Sequence, residues 1–439
     1  MNKLLRFLLF FVIGIVLLAM LLLSPTDSTS YQHQDYYRRT ITTLDSAMSG
    51  LAIAVADTVY GGWARQNITP DAPTKLMGYG WKGSFRGVHD SLWVRSMVFR
   101  QHQRTVAVVS YDLMLTPPAV AQTVKQRLAE IDVDHVYFSA THTHHGFGEW
   151  QAGPAGWLIT GRYNAALVDT LVARTLSAIR AAQQSLSPIR IAYAQYDADS
   201  LVSNRLVENE RIDPYVRAVY VRDSLGKTAV LCSFSAHATY LSSRSKELSG
   251  DYPAAVARQL EQSPDIDFAL FAAGAVGSHR PVKQRDTFPD MEAYAYSVAA
   301  PVLQQAGQVK GEKILPMQFL RLPLALGEPQ FRIADRWRVR PWVFRWFFGP
   351  QRPELSFFRL GDIMLIGVPA DFSGMLYPQL HSHDFHLMVT SFNGDYVGYI
   401  IPDEYYDLHH QEARETNWYG LYTGSYTVAL INEVLGRWK

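Results

Sequence analysis

The sequence predicts an α/β protein, a largely parallel or mixed sheet flanked by helices, preceded by one transmembrane helix. Three observations carry that expectation. Between Arg104 and Ala140 the hydrophobic pattern reads strand, helix, strand. Short β-branched and aromatic runs then recur to the end of the chain, with helical stretches between them. Finally, residues 7–23 form an uncharged apolar run, at the short end of the roughly 17–25 residues that a membrane span needs.

The span comes first along the chain. Lys3 and Arg6 flank it on the amino-terminal side, which places that end in the cytoplasm and the remaining domain outside it, on a periplasmic or extracellular face. Residues 19–23, Ala-Met-Leu-Leu-Leu, offer no small-residue cleavage site, and no cysteine follows the run. An uncleaved signal anchor is therefore expected rather than a removed signal peptide. The implied division is a cytoplasmic end at 1–6, a span at 7–24, a tether at 25–49 and one folded domain at 50–439.

Composition narrows the chemistry of that domain. With 48% hydrophobic and 18% charged residues and a formal net charge of +1, the chain is ordinary globular material without the basic excess that nucleic acid requires. Cys232 is the single cysteine, which excludes a disulfide framework and a thiolate metal site.

Residues 104–111 read as a buried strand. Pro117-Pro118 opens a helix with Val120, Val124, Leu128 and Ile131 at helical spacing, and a second strand begins at His135. A βαβ unit of this kind makes the two strands parallel neighbours. A helix follows at 165–184. Runs 215–222 and 228–234, joined by Asp-Ser-Leu-Gly-Lys, read as a hairpin. Pro253 opens a helix, 267–273, 362–368 and 386–391 are strands, and 426–435 is a final helix.

The reactive residues fall just after these strands. Asp112 follows the first, and His142, His144 and His145 follow the second. His237 ends the run at 231–236, Ser278 lies past 268–273, Asp371 follows 363–368, and 393–399 follows 387–391. Side chains alternate along extended chain, so His142 and His144 share a face. Two imidazoles aimed the same way at a strand end suit a first-row metal such as zinc. In open α/β sheets ligands bind beyond the carboxyl ends of the strands, so a metal site is expected there. His381, His383 and His386 precede their strand and belong at the opposite end; His409-His410 reads as solvated. No G-x-G-x-x-G, Walker or G-x-S-x-G pattern is present.

Several of these segments resemble the amino-terminal catalytic domain of the neutral/alkaline (non-lysosomal) ceramidases. The resemblance runs from about Gly61 to the carboxyl terminus. Ser139-Ala140-Thr141-His142-Thr143-His144 is similar to that family's S-[AG]-T-H-T-H-S-G-P signature. In matching order stand Met77-Gly78-Tyr79, Val88-His89-Asp90, Asn204-Arg205, Phe234-Ser235-Ala236-His237, Pro369-Ala370-Asp371-Phe372 and the segment from Asn393 to Tyr399. The resemblance implies a catalytic zinc held by His142, His237, Asp371 (where the family has Glu) and Tyr399. It also implies that His144 and Arg205 contact substrate beside the metal.

The chain departs from the family at several points. Arg280 occupies the place of the nucleophilic serine, and Ser278 lies two residues earlier. His145 replaces the serine after the T-H-T-H tag. Asn67 stands at a calcium-binding aspartate, so no structural calcium is expected, and the carboxy-terminal β-sandwich is expected to be lacking. These departures favour water over serine as the attacking group, with His144 or His145 carrying its proton and Arg205 or Arg280 holding the oxyanion.

Residues 331–352 interleave Trp337, Trp342, Trp346 and phenylalanines with five arginines, Arg332 to Arg345. That composition fits a membrane-interface element, against the plainer reading of a loop tucked onto the domain. The expectation is thus a membrane-anchored zinc hydrolase of an amide in a ceramide-like or other N-acyl lipid. The rival is a ligand-binding pseudoenzyme that keeps the zinc site and has lost the serine.

Overall fold

The computed structural model describes residues 3–51, 53–80, 83–307 and 310–438. From residue 56 onward the chain builds two sheets stacked face to face, with helices on both outer faces. The eight-stranded sheet runs in the order Phe268–Ala273, Thr228–Phe234, Tyr215–Asp223, Ser187–Asp197, Tyr60–Asn67, Trp93–Gln101, Arg104–Tyr111, His135–Ala140. The five-stranded sheet runs Ala56–Thr58, Ile314–Pro323, Glu354–Leu360, Ile363–Gly367, His386–Thr390. Between the sheets lies an apolar layer that includes Val106, Val108, Leu231 and Leu270 from one side and Phe319, Phe358, Leu365 and Met388 from the other. Pro118–Gln126 and Ala165–Gln184 cover part of the outer face of the larger sheet; Asp251–Glu261 and Phe288–Gln305 cover the rest. Thr423–Arg437 closes the smaller sheet.

The sheets are mixed, the second of the two arrangements expected, with antiparallel pairs outnumbering parallel ones. Trp93–Gln101 and Arg104–Tyr111 are joined by a two-residue turn at His102-Gln103, and a connection that short can only return antiparallel. Strand Trp93–Gln101 is hard to read from sequence because Arg95 and Ser96 are buried in it. The Arg95 guanidinium pairs with Glu261, which permits a cation on a core face.

Parallel pairing survives where the βαβ reading placed it, between Arg104–Tyr111 and His135–Ala140. It recurs between Thr228–Phe234 and Phe268–Ala273 and between Ile363–Gly367 and His386–Thr390. The three pairs are drawn to one place. The larger sheet curls until its edge regions meet, with Ser110 Oγ donating to Phe271 O at 2.6 Å. The smaller sheet joins them through Ser391, whose N–H donates to Ala273 O at 2.9 Å and whose hydroxyl donates to Gly274 O at 2.7 Å.

The amino-terminal segment is one 20-residue helix, Lys3–Leu22, none of whose residues is buried. Among the described residues it is the one helix long and apolar enough to cross a membrane. The stretch expected to be a tether is in part folded. Asp35–Ser49 is a helix whose Leu44 is fully buried and whose Thr40 hydroxyl lies 2.8 Å from the Tyr426 hydroxyl. Tyr31, Tyr36 and Tyr37 surround the same Tyr426 ring. The Thr and Tyr content hid this helix, because its buried face mixes Tyr36, Tyr37 and Thr40 with Ile41, Leu44 and Met48.

Candidate metal centre

His142 is the second residue after its strand and has φ of +64°, a left-handed backbone that β-carbon-bearing residues seldom adopt. Phe392 has φ of +67°, and its ring stacks on the His142 imidazole at 4.1 Å. Two such backbones in contact mark a place where the surrounding fold over-determines the geometry.

Three imidazoles converge here. His142 Nε2 lies 2.8 Å from His237 Nε2 and 3.2 Å from His144 Nε2, and His144 Nε2 lies 2.9 Å from His237 Nε2. The opposite nitrogen of each ring faces a backbone carbonyl. His142 Nδ1 donates to Met114 O, His144 Nδ1 donates to Gly78 O at 2.8 Å, and His237 Nδ1 donates to Val276 O at 3.4 Å. A carbonyl only accepts, so each Nδ1 carries the proton and each Nε2 presents a bare lone pair. Burial holds all three rings neutral, pushing His142 and His237 well below the usual histidine range and His144 down to about 3.

Asp371 completes the cluster. Its strand, Asp371–Phe372, pairs in parallel with Tyr399–Ile400, so Asp371 and Tyr399 lie side by side. Asp371 Oδ1 is 3.3 Å from His142 Nε2, and no donor reaches it. This is not an ion pair, since His142 is neutral. The other carboxylate oxygen accepts from the Tyr396 hydroxyl at 2.6 Å. Burial raises the Asp371 carboxyl to about 7, against the pull of Tyr396 and Arg205. Three imidazole lone pairs and a donor-free carboxylate oxygen facing one another are the donor chemistry of a divalent cation, and His142, His144 and His237 form a cluster able to hold one.

Tyr399 and Arg205 stand beside these donors. The Arg205 Nη2 group donates to the Tyr399 hydroxyl at 2.9 Å, and Arg205 Nε pairs with Glu412 at 3.1 Å. Burial and the neighbouring Asp371 raise the Tyr399 phenol above its ordinary range. Asn204, the other half of the Asn-Arg tag, accepts from the Leu206 and Val207 N–H groups and so shapes the turn that presents Arg205. Glu412 comes from the polar loop that the sequence reading left as solvated, and nothing in its local pattern marks it. Tyr396 lies inside the flagged 393–399 segment, though as an outer partner of Asp371.

Other candidates point elsewhere. Ser278 is fully buried, and its oxygen sits 2.9 Å from His279 Nδ1 and 2.7 Å from the Ser373 hydroxyl. His279 Nε2 accepts from the Asp213 N–H at 2.9 Å, so Nδ1 carries the proton and donates to Ser278. That tautomer cannot deprotonate the serine. Arg280 is exposed on the short strand His279–Pro281, its Nε 3.4 Å from the Ser203 hydroxyl. His145 turns away from the cluster, with Nε2 at 3.0 Å from Ser242 O and Nδ1 at 3.8 Å from Asp251. Asp112 accepts from the Trp93 N–H at 2.9 Å. His386 stacks on Tyr193 at the far end of its strand.

The family described as neutral/alkaline non-lysosomal ceramidase, N-terminal, matches residues 61–295. Two solved structures share the fold. "Ceramidase complexed with C2" is 18% identical with a TM-score of 0.75, covering 86% of this chain and 75% of that one. Neutral ceramidase from Pseudomonas aeruginosa is 17% identical with a TM-score of 0.73, covering 86% of this chain and 74% of that one. No curated protein sequence matches the chain.

Proposed function

Because the chain belongs to the neutral/alkaline non-lysosomal ceramidase family, we propose that it is a membrane-anchored, zinc-dependent hydrolase of the amide bond in a ceramide-like or other N-acyl lipid. The observation that carries the reading is the convergence of three proton-free Nε2 atoms with the donor-free Asp371 Oδ1. His142, His237 and Asp371 would hold the metal, with Tyr399 beside them. When bound, zinc supplies Lewis acidity toward a carbonyl and toward water.

This chain's own residues do the rest. The Met114, Gly78 and Val276 carbonyls fix the tautomers, so each imidazole is presented ready to bind. Arg205, held by Glu412, places a permanent cation beside Tyr399, where it can stabilise a developing oxyanion. His144 shares the inner cluster. Its Nδ1 proton is given to Gly78 O and its Nε2 lone pair faces the cluster, so it serves as a ligand or a hydrogen-bond acceptor for substrate, and His144→Ala separates the two by losing or keeping the metal. Ser278 serves as an acceptor inside the protein, which supports water as the attacking group. Arg280, at the surface, suits an anionic end of a substrate.

The locked serine also favours the second reading, a ligand-binding pseudoenzyme. Zinc content and turnover of an N-acyl substrate panel by the full-length protein decide between them. Stoichiometric zinc with hydrolysis supports the enzyme; zinc without turnover of any N-acyl lipid supports the pseudoenzyme. The metal assignment itself is overturned if the His142→Ala, His237→Ala double variant keeps stoichiometric zinc. His383→Ala keeps it in either case.

A further inference from the structure

The apolar amino-terminal helix does not run into a free linker. Leu23–Pro25 leaves it as a strand antiparallel to Trp337–Val339, with Pro25 opposite Trp337. That strand folds back on Arg332–Ala334. The Arg340 guanidinium donates from Nε and Nη2 to Met20 O at 3.1 and 2.9 Å, and the Arg340 N–H donates to Leu22 O at 2.8 Å. Carbonyls in a helix's last turn lack partners of their own, and a cation there also complements the helix dipole. The end of the helix is thereby fastened to the hairpin.

Directly after Arg340 comes the helix Pro341–Phe348. Phe344 is buried, and Phe344 and Phe348 pack on Trp418 at 5.6 and 4.5 Å. Trp342 and Trp346, one turn apart on the other side, are 52% and 66% exposed, and Trp337 is 49% exposed. Three tryptophans about half exposed or more is costly for so large an apolar surface, and with arginines between them it is the composition of a lipid–water boundary.

We propose that the hairpin 332–339 and the helix Pro341–Phe348 form a docking platform seated in the headgroup region of the same bilayer that Lys3–Leu22 crosses. The inference rests on that helix being a span. Its 20 residues make about 30 Å of helix, the thickness of a hydrocarbon core. Pro25, three residues beyond Leu22, lies roughly 10 Å further on at about 3.3 Å per residue. Trp337 is its cross-strand partner and falls within or just above the headgroup layer. The platform is also joined to the metal centre. Trp418 packs on Tyr396 at 5.2 Å, and the Tyr396 hydroxyl holds Asp371. The platform therefore sets the height of the site above the lipid from which an acyl substrate would come.

Site-directed spin labelling tests this on the full-length protein in nanodiscs of phosphatidylcholine and phosphatidylglycerol. Cys232 is fully buried, so single labels at Trp342→Cys, Trp346→Cys, Ile13→Cys and Leu225→Cys report separately. Labels at 342 and 346 are expected at the phosphate level, at least about fivefold less accessible to a water-soluble nickel chelate than the label at 225. Equal accessibility at 225, 342 and 346 overturns the platform, provided the label at 13 sits deep in the hydrocarbon. A shallow label at 13 overturns the span and the platform with it. Spin–spin broadening at 342 and 346 with exclusion of both oxygen and nickel shows a second copy covering the face, and also overturns it. Quenching of native tryptophan by headgroup-proximal brominated lipid, reduced in Trp346→Phe, reads the same contact without a label. None of these measurements needs metal or turnover, so they stand apart from the assigned activity.

Discussion

At the residue scale, the candidate centre is defined by where protons are not. Three backbone carbonyls hold the Nδ1 protons, and the lone pairs opposite them meet Asp371 Oδ1. His142, His237 and Asp371 were legible because each follows a strand-like run, whereas Tyr399 stood out as a ligand only by its match to the family's tyrosine within the 393–399 segment. The sequence could not show Tyr396 as the partner of Asp371, since hydrogen bonds between loops leave no periodic trace. Tyr396→Phe should weaken zinc affinity by about 10–100-fold while leaving the melting temperature of the zinc-loaded protein nearly unchanged, as read by competition with a chromogenic chelator. Unchanged affinity would mean that Asp371 needs no orienting partner. A second residue gives a pH signature remote from the candidate centre. His135 is stacked on Phe319 at 4.5 Å with an unpartnered Nδ1, and burial pushes its pKa down to about 4. The unfolded chain takes up a proton near 6.5, whereas the folded ring stays neutral until about 4. Stability present above 6.5 is therefore lost as pH falls between those values. Thermal melts of His135→Phe should match the wild type or exceed it slightly at pH 7.5, and the gap should widen at pH 5.

At the element scale, what the sequence conveyed was the βαβ unit, the 215–234 hairpin and the helices 165–184 and 426–435, because their hydrophobic periods are clean. The antiparallel strands were not legible where a polar group is buried, as at Arg95 and Ser96. Nor could any local pattern show that three parallel pairs from two sheets, rather than one parallel sheet, would supply the site. Gly78 explains a tag that the sequence reading could only match. With φ of +135°, its position is strained for any other residue, and an added Cβ would lie 2.6 Å from His144 Cα and Cβ. Gly78→Ala should therefore displace His144 and cut kcat/KM at least about tenfold, or about 1.4 kcal/mol, with His142 and His237 still in place to retain zinc. The helix Asp35–Ser49 gives a stability test of the same grain. Leu44→Ala should cost about 2–5 kcal/mol, the usual range for emptying a core leucine site, measured by denaturant unfolding. A cost near zero would return this stretch to the status of a tether.

At the scale of the whole molecule, with Lys3–Leu22 taken as the proposed span, its orientation decides which lipid pool the centre would face. Lys3 and Arg6 lie on the amino-terminal flank of the apolar helix, while its other end meets Ser24, Pro25 and the arginine-bearing hairpin. The positive-inside tendency counts basic residues within about 15–20 positions of the span's ends; Lys3 and Arg6 lie directly at one end, whereas Arg38 and Arg39 lie at the far edge of that window on the other. The arginines of 332–345 are far along the chain and reach the membrane only once the domain has folded, so they do not bear on insertion. The carboxyl-terminal side should therefore cross to the outer face. Leu225, 78% exposed in the hairpin turn, reports this when changed to cysteine, because the native Cys232 is buried and silent. In intact cells a membrane-impermeant maleimide should label Leu225→Cys without lysis and leave the wild type unlabelled. Labelling only after permeabilisation would put the domain in the cytoplasm. Replacing Lys3 and Arg6 with glutamate should lower the externally labelled fraction, since those two charges favour the amino-terminal end staying inside.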